Sequence, residues 1–87
     1  MATEDEFSAA QARVKALPKT PASDELLELY AYYKQATVGD ARGDRPGMLD
    51  FKGRAKFDAW SARQGMTKDA AQSAYVSLVA KLVAKYV

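Results

Sequence analysis

Apolar residues recur along this chain at steps of three and four, the period of an amphipathic helix, and nowhere alternate as a strand would require. Phe7, Ala10, Val14 and Leu17 make the first stripe. Thr3 followed by Glu6 has the capping-box pattern, and Glu4 and Asp5 suit the positive end of a helix dipole. Pro18 and Pro21 end this segment, because each lacks an N–H and restricts the residue before it. A second helix is predicted from near Ser23, with Ser23 as its cap. Leu26, Leu27, Tyr30, Tyr33 and Thr37 mark its apolar side, and Gly39 is its stop.

Residues 39–50 read Gly-Asp-Ala-Arg-Gly-Asp-Arg-Pro-Gly-Met-Leu-Asp, which is loop chemistry. A connection of that length lets the chain cross over, so the helices it joins need not form a tight antiparallel hairpin. Within it, Arg42-Gly43-Asp44 matches an adhesion tripeptide, but three residues match readily, and Gly and Asp are expected in a turn. A third helix begins between Asp50 and Arg54, with Phe51, Ala55, Phe57, Ala59 and Trp60 as its apolar positions and Gly65 closing it. Thr67 caps a fourth. There Ala71, Ala74, Tyr75, Leu78, Val79, Leu82, Val83 and Tyr86 hold the period almost to the C-terminus. The pattern predicts an all-α protein, an antiparallel-type bundle of four helices with one long connection between helices 2 and 3.

Composition narrows the chemistry. The 87 residues allow one domain, and 48% hydrophobic with 28% charged residues is a globular balance. There is no cysteine and no histidine, so Cys/His zinc sites, iron–sulfur clusters and Ser–His or Cys–His catalysis are excluded, as are disulfides. A general base would have to be a carboxylate, lysine or tyrosine, and no carboxylate pair has a spacing that argues for shared acid–base work. No Gly-x-x-x-x-Gly-Lys-Ser/Thr loop is present. The expectation is a protein that is not an enzyme. No apolar run reaches the ~20 residues of a membrane span, and the acidic N-terminus does not read as a secretory signal. A soluble cytoplasmic protein is therefore expected.

The net charge of +2 is unevenly spread. Residues 1–40 carry four Lys/Arg against seven Asp/Glu, or −3, while residues 41–87 carry nine against four, or +5. One reading is scatter over a solvated surface; the other is an anionic ligand on the second half. Tyr30, Tyr32 and Tyr33 lie close together, Tyr30 and Lys34 share a helix face, and Lys52 and Lys56 share another. Rings at helical spacing commonly pack a core with their hydroxyls at its edge. A cluster of phenols and lysines also offers stacking surfaces and cationic donors, which suit a nucleotide carrying extra phosphates. A helical module that binds a protein or nucleic acid through its basic half is the competing reading; it leaves the tyrosine–lysine cluster without a purpose.

Two blocks carry a family resemblance. Residues 33–40, YKQATVGD, and residues 45–60, RPGMLDFKGRAKFDAW, resemble the signatures of the acyl-CoA-binding protein family, in the right order and spacing. The resemblance runs from Phe7 to Tyr86. It implies one acyl-CoA-binding domain over residues 1–87, built as a four-helix bundle in up-down-down-up order. It further implies a monomeric, non-catalytic cytoplasmic carrier and buffer of medium- to long-chain fatty acyl-CoA esters. Such a carrier needs no cofactor, binds no nucleic acid and makes at most transient membrane contact. By the same resemblance, Tyr30, Lys34 and Lys56 correspond to residues that meet the ribose 3′-phosphate of CoA. Tyr33 falls near the adenine, Tyr75 near the nucleotide, and Lys15 and Lys52 match other ligand-facing lysines. Leu26 and Leu27 fall along the acyl groove. Phe57 stands beside the acyl site where a tryptophan is common, Gln11 replaces a small apolar residue, and Pro18 is an added stiff point.

Overall fold

Four helices build the described chain: α1 (Glu4–Lys15), α2 (Ser23–Thr37), α3 (Phe51–Ser61) and α4 (Lys68–Tyr86). The structure is a computed structural model that describes residues 3–86. Met1, Ala2 and Val87, which the expected domain also spans, lie outside the described residues.

Local chemistry accounts for the helix ends. At α1 the Thr3 hydroxyl accepts from the Glu6 N–H and the Glu6 carboxylate accepts from the Thr3 N–H, each at 3.1 Å, so two orphan donors are satisfied reciprocally. Thr67 Oγ1 accepts from the Ala70 N–H at 3.1 Å and opens α4. Gly39 ends α2 with a φ of 97°, a left-handed conformation that costs glycine little.

Two boundaries differ from expectation. Ser23 is the first residue of α2 rather than its cap. Ala22 precedes it and has no side chain for the purpose, so Glu25 reaches back instead and accepts the Ala22 N–H at 2.9 Å. The third helix stops at Ser61, and a turn closed by i→i+3 bonds runs from there to Gly65.

The core lies among α1, α2 and α4. Phe7, Ala10, Leu29, Ala36, Ala71, Tyr75, Val79 and Leu82 are buried together. Three of these are alanines, which let helix backbones approach closely. The buried side of α2 is therefore Leu29 and Ala36, with Ala31 and Gln35, not the Leu26–Leu27–Tyr30–Tyr33 side that the apolar stripe suggested. Both sides of α2 are apolar, and α4 covers only one of them.

Directions follow from cross-helix contacts. Glu25 at the start of α2 meets Lys85 and Tyr86 at the end of α4, and Gln35 near the end of α2 meets Met66 just before α4, so these two helices are antiparallel. Tyr30 and Lys34 face Lys56 and Trp60 in the same order, so α2 and α3 are parallel. The bundle thus runs up-down-down-up. Parallel neighbours require the connection 38–50 to travel back along the whole of α2, about 22 Å at 1.5 Å per residue. Its long reach is used for that return. Arg45 fastens the connection to α3 by a bidentate pair with Asp58, Nε to Oδ1 at 2.8 Å and Nη2 to Oδ2 at 2.6 Å.

α3 lies against α2, while α4 lies against both α1 and α2. The molecule measures 36 × 27 × 15 Å, so it is thin in one direction, and α3 is left with much of its surface open. Among the described residues, no helix is long and apolar enough to cross a membrane.

Candidate functional site

The uncovered apolar side of α2 meets a matching stripe on α3. Ser23, Leu26, Leu27 and Tyr30 repeat at steps of three and four, as do Phe51, Lys52, Ala55 and Lys56. Because the two helices run parallel, the stripes face one another along their length and enclose an open groove of about 500 Å³. Leu26, Leu27 and Ala55 make the lining apolar; Lys52, Lys56 and the Tyr30 hydroxyl give it polar groups.

Toward the C-terminal ends of both helices the groove leads to two cation–ring contacts. Lys56 Nζ lies 5.4 Å from the centroid of the Tyr30 ring. One turn further along, Lys34 Nζ lies 4.9 Å from that of Trp60. The two lysines approach from opposite helices, and each contact repeats the other four residues later. Ring faces hold a cation without neutralising it. Among the described residues the ion pairs are Arg45–Asp58 and Lys85–Glu25, so Lys34, Lys52 and Lys56 face no carboxylate partner. Their field is left for an anion.

A third group sits where α1, α2 and α4 converge. The exposed Tyr33 ring stacks on Phe7 at 6.0 Å and 28°, and Phe7 meets Tyr75 edge-on at 5.1 Å and 81°. Tyr75 is buried; desolvation, with a smaller contribution from Tyr33, pushes its phenol above the usual tyrosine value and keeps the proton on. A protonated phenol is a hydrogen-bond donor without charge.

The residues singled out in the sequence are therefore distributed as follows. Leu26, Leu27, Tyr30, Lys52 and Lys56 line the groove. Lys34 stands just beyond it over Trp60, and Tyr33 and Tyr75 form the aromatic trio with Phe7. Lys15 is exposed on the last turn of α1 and makes no polar contact among the described residues. Phe57 is not part of the groove lining; its ring is edge-on to Trp60, at 6.4 Å and 73°. One position on from Lys56 turns a helical side chain by about 100°, which carries Phe57 away from the α2 stripe.

Several residues that hold this arrangement escaped the sequence reading. Gln35 is fully buried, and its amide donates to Asp40 Oδ1 and to the Met66 carbonyl, both at 2.8 Å. Asp40 Oδ1 also accepts the Gly65 N–H at 2.8 Å. That bond first, and the Gln35 amide second, hold the Asp40 carboxyl below the usual aspartate value. The Trp60 indole donates to the Gly39 carbonyl at 2.7 Å. Together these bonds tie the end of α2 to the end of α3 and to the turn before α4, and so fix Lys34 relative to Trp60. Ser23, Phe51 and Ala55 also line the groove; their signal was the i, i+3, i+4 spacing to residues already chosen.

Comparisons with known proteins agree with one another. The family model described as acyl CoA binding protein matches residues 4–79. The acyl-CoA-binding protein homolog 1 of Caenorhabditis elegans is 56% identical over 80 residues, which cover 92% of this chain and 93% of that protein. The crystal structure of Oryza sativa acyl-CoA-binding protein 2 superposes with a TM-score of 0.89 at 39% identity, covering 94% of this chain and 91% of that one. The solution structure of acyl coenzyme A binding protein from yeast gives a TM-score of 0.74 at 45% identity and covers 98% of each chain.

Proposed function

This chain belongs to the acyl-CoA-binding protein family, and we propose that it is a carrier and buffer of medium- to long-chain fatty acyl-CoA esters, built as one domain over residues 1–87. The family is defined by binding, not by a reaction. The observation that carries the reading for this chain is the juxtaposition of an apolar groove with lysines that have no carboxylate partner among the described residues. An acyl-CoA presents the same two properties, an anionic headgroup bearing a pyrophosphate and a ribose 3′-phosphate, and an apolar tail.

The roles divide by chemistry. Lys34 and Lys56, from facing helices, converge on the 3′-phosphate, and charge-assisted bonds to it are roughly twice as strong as neutral ones. The Tyr30 hydroxyl adds a donor. Tyr33 offers an exposed ring for the adenine, a stacking contact worth ~1–3 kcal/mol by analogy with nucleic-acid complexes. Tyr75 supports Tyr33 from below. Lys52 and Lys15 meet the remaining phosphates, and the tail lies over Leu26, Leu27 and Ala55. Phe57 braces the Trp60 ring and packs against the tail from beside the groove.

Isothermal titration with hexadecanoyl-CoA, CoA alone and free hexadecanoate tests the proposal. One-to-one binding of the thioester, much tighter than that of either fragment, is the expected result. A thioester that binds no better than its fragments would overturn it and return the basic interaction module to the front.

A further inference from the structure

The most exposed of the large apolar side chains among the described residues are concentrated at one place. Met48, Leu49 and Phe51 are 77%, 90% and 75% exposed. Scattered exposed apolar residues are ordinary, but three within four positions on one turn are a patch. The turn is well built. The Asp50 N–H donates to the Gly47 carbonyl at 3.0 Å, which places Met48 and Leu49 at the corners. Asp50 Oδ1 then accepts the Gly53 N–H at 2.9 Å and caps α3. Gly53 has to be glycine for this, since a Cβ there would collide with the Asp50 carboxylate. Arg45 anchors the preceding stretch on Asp58. The two corner side chains are held outward by a fixed scaffold.

The patch adjoins the groove. Phe51 belongs to both, and with Ser23 it marks the groove's N-terminal end, opposite Tyr30 and Lys56. A tail that outgrows the groove leaves across Phe51, beside Leu49 and Met48. A cation stands at the same edge: Lys52 follows Phe51 directly, lines the groove with it, and has no carboxylate partner among the described residues.

We infer that the turn Gly47–Asp50 with Phe51 is a docking tip for an anionic bilayer surface. Met48, Leu49 and Phe51 enter the interface, and Lys52 meets the headgroups. Two features favour lipid over a second copy of this chain. Three side chains fall well short of the ~800 Å² per partner of a standard protein interface. Lys52 beside an apolar tip complements anionic headgroups, and one such residue adds about fivefold to binding near such a surface. An attachment of this size is weak and reversible, as an exchange step requires. The docking rests on the carrier reading only for its purpose, the transfer of tails between bilayer and groove.

Flotation with ligand-free vesicles of phosphatidylcholine, with and without phosphatidylserine, tests the tip directly. Wild-type protein is compared with the double variant Met48→Ser, Leu49→Ser, neither of which lines the groove. The expected result is partitioning onto the phosphatidylserine vesicles that salt weakens and that the variant lowers about tenfold or more. Helical circular dichroism and titration with octanoyl-CoA are expected to be the same for both proteins. Equal partitioning of the two proteins would overturn the inference. So would lipid-free self-association of the wild type, lost in the variant, which would assign the patch to a second copy. Failure of both proteins to bind octanoyl-CoA would instead count against the carrier reading and leave the vesicle result standing.

Discussion

The indole N–H of Trp60 donates to the carbonyl oxygen of Gly39 at 2.7 Å, a bond that joins the middle of the chain's basic half to the residue that ends α2. The face of the same ring lies under Lys34. One side chain thus fixes α3 against α2 and positions Lys34, the cation proposed to meet the ligand. Trp60→Phe keeps most of the apolar contact and deletes the donor. Gly39 is only partly buried, so a carbonyl left without its partner there costs at most about 1–3 kcal/mol, and urea unfolding of the variant is expected at a lower midpoint with an unchanged slope. Its affinity for acyl-CoA is expected to fall as well, because the smaller ring under Lys34 is no longer fixed to Gly39. A variant as stable as wild type would show that the Gly39 bond contributes nothing net.

The assignment of Lys34, Lys56 and Tyr30 to the 3′-phosphate makes a differential prediction. Hydrogen bonds to charged groups contribute about 1.5–3 kcal/mol, so Lys34→Ala or Lys56→Ala should weaken hexadecanoyl-CoA binding by about ten- to a hundredfold. Tyr30→Phe should lose less, since its ring remains. Against the dephospho-CoA ester each loss should shrink, because the partner is already gone. Equal losses against both ligands, measured by calorimetry, would remove these residues from the 3′-phosphate.

Glu25 links α2 to α4 and supplies a pH signature. Its carboxylate accepts from Lys85 Nζ at 2.8 Å, from the Tyr86 hydroxyl and from the Ala22 N–H. Chiefly through Lys85, then Tyr86 and Ala22, these bonds lower its pKa from 4.5 to about 2. The folded value is depressed, so the stabilisation is fully present above the unfolded value near 4.5 and is lost as pH falls through about 2. Wild type should therefore be more stable than Glu25→Gln at neutral pH, and the gap should close between pH 4.5 and 2. Asp40 and Asp58 are depressed too, but both proteins share their contributions. Chemical denaturation at several pH values checks this; a gap as wide at pH 2 as at pH 7 would contradict it.

Much of this architecture was legible because it is local. The Thr3–Glu6 box, the stop at Gly39, the cap at Thr67 and the stripe Ala71–Tyr75–Val79–Leu82 all depend on residues within a turn or two of each other. What escaped is tertiary. The period of α2 shows apolar residues on two sides but not that α4 covers Leu29 and Ala36 while Leu26 and Leu27 stay open. Ser23 was a sound cap by type, yet Glu25 held from α4 took over the Ala22 N–H. Gln35 carries no apolar or charge signal, and its burial is explained only by Asp40 and Met66 meeting it from elsewhere. Lys34, Lys56, Tyr30 and Tyr33 were singled out by the resemblance together with helical spacing. Phe57 was placed by the resemblance alone, and it is turned to Trp60.

The groove sets how affinity should respond to tail length. From Tyr30 to Ser23 it follows α2 over seven residue steps, about 10 Å at the helical rise. Over that distance each added methylene leaves water for Leu26, Leu27, Ala55 and the stems of the lysines, a gain of ~0.8 kcal/mol or about fourfold in affinity. Past Ser23 and Phe51 the lining ends and only exposed side chains remain. The gain per methylene should drop there, because half the tail surface stays wet. Titration of an even-numbered acyl-CoA series should give a steep rise, then a break to a shallower slope. Leu27→Ser, in the middle of the lining, should flatten the steep segment without moving the affinity for CoA alone. An affinity independent of tail length in the wild type would mean that the tail does not occupy the groove, and that Tyr30 and the lysines read the headgroup by themselves.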